Sequence, residues 1–172
     1  MKICAVVVWF NPNQLENPIE NVKNYSKFVE KVYIVDNSEN DNSNILSEIK
    51  NAEYIPFYKN TGIAHALNVG CKSAIKDGFE FCMTMDQDSF WNEDEIKKYF
   101  SIIEAEKCGY ENFSPTIRRE LFPSALGDIK RKILHRKSSK FYDNFQHSDR
   151  FITSGSVIKL SIIKNVGGGA SI

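Results

Sequence analysis

The sequence predicts an α/β protein: a Rossmann-like, mostly parallel sheet with helices on both faces. Apolar, strand-like runs recur at Ile3 to Phe10, Val32 to Val35, Tyr54 to Phe57 and Phe81 to Met85. Segments with helical periodicity separate them, giving a βαβα alternation. The runs are nearly continuous in hydrophobicity, as expected of strands covered on both sides and joined by right-handed crossovers. At 172 residues with 42% hydrophobic and 12% aromatic content, the chain suits one domain with one folded core, spanning 1–172.

The first run, Ile3 to Phe10, is eight residues long and stops at Asn11-Pro12-Asn13. It is too short to span a bilayer, and Val6, Val7 and Val8 favour a buried strand over a signal segment. Pro18 to Glu30 reads as the next helix, with Pro18 in its first turn. After the second strand comes the polar tract Asp36 to Asn44, a run of turn formers that reads as a loop. Ile63, Leu67, Cys71, Ala74 and Ile75 make one helical stripe, and Ile96, Tyr99, Phe100 and Ile103 make another, preceded by Glu93, Asp94 and Glu95. Those acids suit a helix N-terminus. Beyond residue 108 the pattern loosens, until a last strand-like run at Phe151 to Leu160.

Charge excludes one class of function. Lys plus Arg and Asp plus Glu are each 22, so there is no general basic field for sequence-independent nucleic-acid binding. The balance conceals a basic stretch, Arg118 to Lys140, of net +6 against −6 for the rest. Within it Lys130, Arg131, Lys132, Arg136 and Lys137 flank Ile133 and Leu134, a candidate contact to anionic headgroups; a solvated face is the plainer reading. Cys4, Cys71, Cys82 and Cys108 contain no C-x-x-C pair and read as reduced thiols of a cytoplasmic protein.

In open α/β sheets, ligands bind at the carboxyl ends of the strands. Polar residues follow each apolar run there: Asn11-Pro12, Asp36-Asn37, Asn60-Thr61-Gly62 and Asp86-Gln87-Asp88-Ser89. Asp86 and Asp88, two apart on an extended chain end, can project to one side and offer hard oxygens to Mg²⁺ or Mn²⁺. Alternatively they end a strand and cap the following helix. Asp36 can accept hydrogen bonds from a base or ribose, or open an Asx-turn. Asn60 to Gly62 leads into a helix whose free N–H groups suit an anion, though ordinary capping accounts for the same residues. His65, on that helix, reads as a partly exposed residue; His147 and Asp149 read as loop residues that a general-base role would have to recruit.

These segments also carry a resemblance. VVVWFNPN (6–13), VYIVDNSEN (32–40), NTGIAHALNVG (60–70), MDQDS (85–89) and ITSGSVIKLSIIKNVGG (152–168) are similar, in order and spacing, to family 2 glycosyltransferases and within them to the rhamnosyltransferase-like branch. The resemblance implies a GT-A fold and an inverting, divalent-cation-assisted transfer of a sugar from a nucleoside diphosphate donor to an acceptor hydroxyl, on a saccharide or lipid-linked saccharide. dTDP-rhamnose is the donor it favours over UDP-hexoses, and the inner face of the membrane is a location it suits. It implies that Asn11 and Pro12 border the nucleotide, Asp36 meets the base, Asn60 and Gly62 shape the donor loop, and Asp86 and Asp88 hold donor and metal. Thr153, Ser154 and Gly155 match the loop that closes over the sugar.

The family's acidic general base would fall beyond Ile172, which makes the chain the donor-binding portion and leaves a non-catalytic nucleotide-sugar-binding module as the alternative. A haloacid-dehalogenase-type phosphatase also uses D-x-D after a strand. That chemistry places the motif on an early strand with a Thr or Val soon after and later a Lys and an acidic pair, whereas here the motif is on the fourth strand, Phe90-Trp91 follows, and no acidic pair appears downstream of Glu120.

Overall fold

The structure, a computed structural model, describes residues 1–15, 17–91, 93–106, 112–114 and 154–165. Among the described residues six strands form one sheet: β1 (Ile3–Trp9), β2 (Lys31–Asp36), β3 (Ala52–Pro56), β4 (Phe81–Asp86), β5 (Asn112–Phe113) and β6 (Ser156–Lys159), in the order β3-β2-β1-β4-β6-β5. The first four are parallel. β6 runs antiparallel to both β4 and β5. Four helices among the described residues accompany the sheet: α1 (Pro18–Ser26), α2 (Ile63–Lys76), α3 (Glu93–Glu106) and α4 (Leu160–Asn165).

Side-chain alternation along β1 divides the core. Ile3, Ala5, Val7 and Trp9 face one way and cluster with Val22 and Tyr25 of α1 and Ile96, Tyr99 and Ile103 of α3. Cys4, Val6 and Val8 face the other way, onto Ala66, Leu67, Cys71 and Ala74 of α2. All seven β1 residues are buried, which is why the run carries no polar residue. Cys4, Cys71 and Cys82 are free buried thiols, as expected, and Cys71 and Cys82 sulfurs lie 4.0 Å apart. Contact with Cys4 and Cys71, together with burial, pushes the Cys82 thiol well above its ordinary range. Cys108 lies outside the described residues.

Some boundaries differ from the sequence expectation. α1 stops at Ser26 rather than Glu30, because the Asn51 amide donates to the carbonyls of Ser26 (3.0 Å) and Val29 (3.1 Å) and turns the chain into β2. The polar tract is not wholly a loop: a 3₁₀ segment begins at Ser43 and runs to Glu48. Ile63, counted in the apolar stripe, is exposed, since it starts α2 beyond the edge of the sheet.

α2 lies against β1 and β2 with a glycine at the contact. A Cβ on Gly70 would stand 2.4 Å from Val6 Cγ1 and 3.2 Å from Val35 Cγ2. Both valines are stiff, fully buried strand residues, so the helix itself must shift. Gly70→Ala is therefore expected to destabilise the fold by about 1–3 kcal/mol despite alanine's better helix propensity. Denaturant midpoints check this, and a variant as stable as the parent would show that α2 is not seated so closely.

Candidate functional site

The strand order places a topological switch point between β1 and β4: from β1 the chain builds outward to β2 and β3, then returns to add β4 on the other side. Ligands of open α/β sheets bind at the carboxyl ends of the strands at such a point, and here β1 and β4 both lead into helices on the same face, α1 and α3. The described residues among those predicted from the sequence lie along this edge.

Asn11 follows β1 in the left-handed region (φ 47°), a conformation asparagine tolerates, and its N–H donates to Ser38 Oγ at 2.8 Å. Pro12 is buried and opens a 3₁₀ turn over Pro12–Gln14. Asn37, buried at the end of β2, accepts from Thr61 N (3.2 Å) and Thr61 Oγ1 (2.9 Å). It thereby fixes the segment entering α2. Asn60 is exposed and its Oδ1 accepts from Gly62 N at 3.0 Å, while Gly62 takes φ +85°, which disfavours any side chain there. His65 is exposed, its ring centroid 5.4 Å from that of Phe57.

Asp36 departs from the sequence expectation. It is 1% exposed. One oxygen accepts from Ser38 N (2.8 Å) and Ser38 Oγ (2.5 Å), the other from Asn42 Nδ2 (2.8 Å) and Tyr54 OH (2.7 Å). With four donors on two oxygens, the carboxylate presents no free edge to a base; the Asx-turn alternative describes what it does here. Ser38, which Asp36 holds, in turn holds Asn11, so its effect on the crevice is indirect.

Asp86 and Asp88 are also arranged differently from the expectation. The chain end is not extended: Ser89 N donates to Asp86 O at 3.2 Å, closing a turn over residues 86–89. Asp86 is half-buried and Asp88 exposed. Neither carboxylate has a hydrogen-bond or ion-pair partner among the described residues. Burial, and secondarily the charge of Asp88, raises the Asp86 pKa above its ordinary value. This pair fits a hard divalent cation, which would relieve both causes. No group of three or more His, Cys, Asp or Glu converges among the described residues. Two protein carboxylates with phosphate and water completing the shell is a usual arrangement for Mg²⁺.

The third wall comes from the turn before β6. Ser154 Oγ shares a hydrogen bond with Ser89 Oγ and accepts from Asp86 N at 3.4 Å. Gly155, at φ +81°, donates to Thr84 O (2.7 Å) and accepts from Tyr99 OH (2.8 Å). Thr153, His147, Asp149 and the basic residues Lys130, Arg131, Lys132, Arg136 and Lys137 lie outside the described residues. Sequence reasoning missed Tyr54 and Asn42 as partners of Asp36, Tyr99 as the anchor of Gly155, and Gln87. For Gln87 the available signal was a polar residue between two carboxylates at a strand end.

Sheet order, switch point and carboxylate turn together define a GT-A-type α/β fold. The family description "Glycosyl transferase family 2" matches residues 4–155, and the chain belongs to that family. Comparison with curated proteins returns no match. Among solved structures the fold is similar to S. aureus TarS 1-349, at 15% identity and TM-score 0.65, covering 100% of this chain and 52% of that one. The same protein in complex with UDP-GlcNAc gives 16% identity and TM-score 0.63 over 96% of this chain and 47% of that one. This chain thus spans about half the length of the TarS fragment. A 4-diphosphocytidyl-2C-methyl-D-erythritol synthase from Anaerococcus prevotii is similar at 13% identity and TM-score 0.59, covering 99% and 77%. Among the described residues no helix is long and apolar enough to cross a membrane.

Proposed function

We propose that this chain is the donor-binding part of an inverting glycosyltransferase that takes its sugar from a nucleoside diphosphate. The observation that carries the reading is the Asp86 and Asp88 pair, without a partner among the described residues, at the switch point of a family 2 chain. In such a transfer the acceptor hydroxyl attacks the anomeric carbon, the diphosphate departs with the bonding electrons, and a base takes the hydroxyl proton. A Mg²⁺ or Mn²⁺ ion held by Asp86 and Asp88 would neutralise the charge developing on the diphosphate.

The protein's own residues do the positioning. Asn11 and Pro12 border the nucleotide, Asn60 and Gly62 shape the donor side, and Ser154 with Gly155 forms the wall over the sugar. Four large apolar side chains exposed at or near this edge, Phe10, Tyr58, Ile63 and Phe90, offer ring and methyl faces to a base or sugar. The general base is assigned to none of the described residues.

The resemblance of the five motifs supports rhamnose from dTDP-rhamnose as the donor sugar, with UDP-sugars second, TarS having been solved with UDP-GlcNAc. It also supports a saccharide or lipid-linked acceptor, surface polysaccharide synthesis and a cytoplasmic setting at the membrane face. Calorimetric titration with dTDP and UDP, with and without Mn²⁺, tests donor binding, alongside a transfer assay. Mn²⁺-dependent binding is the expected result. Binding without transfer would favour the non-catalytic module, and no nucleotide binding under either condition would overturn both readings.

A further inference from the structure

At the switch point the β1–β4 ladder ends at the pair Val8 and Asp86, and regular backbone pairing between the two chains stops there. One side chain spans the gap. Gln87 Nε2 donates to Phe10 O at 3.1 Å, and Phe10 N donates to Gln87 Oε1 at 2.7 Å. The carboxamide thus serves as one more rung, satisfying a backbone donor and acceptor that the end of the ladder leaves unpaired. On the far side, Asn21 of α1 donates to Gln87 O at 3.3 Å and Asn24 donates to Trp91 O.

Those bonds hold the turn by its backbone, whereas the carboxamide alone ties it to the residue preceding Asn11. Gln87 sits between Asp86 and Asp88 in that turn, so directing its side chain toward β1 fixes the stretch of backbone from which both carboxylates project. Its partners lie 77 residues away.

We propose that Gln87 is a positioning residue that couples the cation-binding turn to the nucleotide-binding end of β1, so that a cation on Asp86 and Asp88 meets the diphosphate of a nucleotide seated beside Asn11 and Pro12. This rests on the reading of Asp86 and Asp88 as cation ligands. The other described side-chain ties to the turn come from Asn21 and Asn24 of α1 and from Ser154, and not from the end of β1, so without the amide the two parts retain their separate affinities but lose register. Groups that orient metal ligands from behind are worth about 10- to 100-fold in affinity or activity. The coupling is reciprocal, so it is readable from either ligand.

The test uses the full chain with Mn²⁺ and UDP or dTDP as probes, measuring nucleotide affinity with and without metal in the parent, Gln87→Met and Gln87→Asn. Met keeps the volume and removes both hydrogen bonds; Asn keeps the amide but is one methylene too short to make both. The expected result is metal-free nucleotide affinity within about twofold of the parent and a Mn²⁺-induced tightening reduced about tenfold or more in both variants. A purely structural role would lower metal-free affinity equally, and that outcome overturns the proposal. So does full tightening in either variant that folds, as judged by its thermal midpoint. If the parent shows no Mn²⁺ effect, the reading of Asp86 and Asp88 fails instead, and the proposal with it.

Discussion

Asp88→Ala is expected to abolish the metal-dependent part of nucleoside diphosphate binding and, in the transferase proposed above, to lower sugar transfer about 10²- to 10³-fold, the scale for removing one electrostatic contact to developing charge. Stability should not suffer. Asp88 is exposed, has no partner among the described residues, and raises the proton affinity of Asp86. A carboxyl whose folded pKa is raised favours the folded state fully below its ordinary pKa of 3.8 and loses that contribution as pH rises through the folded value. Removing Asp88 narrows this window but leaves it open, because burial is the larger cause. The variant should therefore melt at or above the parent temperature near neutral pH and converge with it in acid. In the parent, metal-assisted binding should weaken as pH falls through the raised Asp86 pKa, since proton and cation compete for one carboxylate. Titration of Mn²⁺ and nucleotide across pH checks both parts; an Asp88→Ala chain that retains metal-dependent binding would remove Asp88 from the cation site.

What the sequence made legible was what repeats locally. β1 could be read because burial on both faces excludes polar residues from seven consecutive positions. α2 and α3 could be read because one stripe of each meets the sheet. The strand alternation drew attention to the carboxyl ends of the strands, whereas the strand order, with its switch between β1 and β4, was not legible in it. Direction is not periodic, and nothing in Ser156–Lys159 marks it as antiparallel to β4. The turn at Asp86 to Ser89 is likewise decided by a tertiary wall, Ser154 and Ser89 meeting across 65 residues. The same limit explains Asp36. An aspartate at a strand end reads equally as a ligand contact or a turn former, and the choice rests with Asn42 and Tyr54, brought to it by the loop and by β3.

That arrangement yields the largest expected loss of stability. Asp36→Ala leaves Ser38 N, Ser38 Oγ, Asn42 Nδ2 and Tyr54 OH without their acceptor in a buried setting. A buried group left unsatisfied costs about 1–3 kcal/mol, and hydrogen bonds to a charged acceptor are the stronger kind. The hydroxyls of Ser38 and Tyr54 can rotate toward other acceptors, but the Ser38 N–H is set by the backbone, and the Asn42 side-chain amide is held in its orientation by Asn40 O and Asn13 Nδ2. Two stranded donors put the net loss at about 3 kcal/mol or more, a large share of a domain's usual 5–15 kcal/mol. Asp36→Asn should cost less, because its carbonyl still serves Ser38 while its NH₂ opposes the Asn42 amide. The loss should spread to the site, since Asn11 N is held by Ser38 Oγ and Asn13 Nδ2 donates to Asn42 Oδ1 at 3.2 Å. Denaturant unfolding gives the ranking of parent, Asn and Ala, and metal-free nucleotide affinity gives the second readout. If Asp36→Ala unfolds like the parent yet loses nucleotide, the carboxylate acts on ligand directly and the hub assignment is wrong. If both fall together, with Asn between, the buried network is what keeps the end of β1 in place.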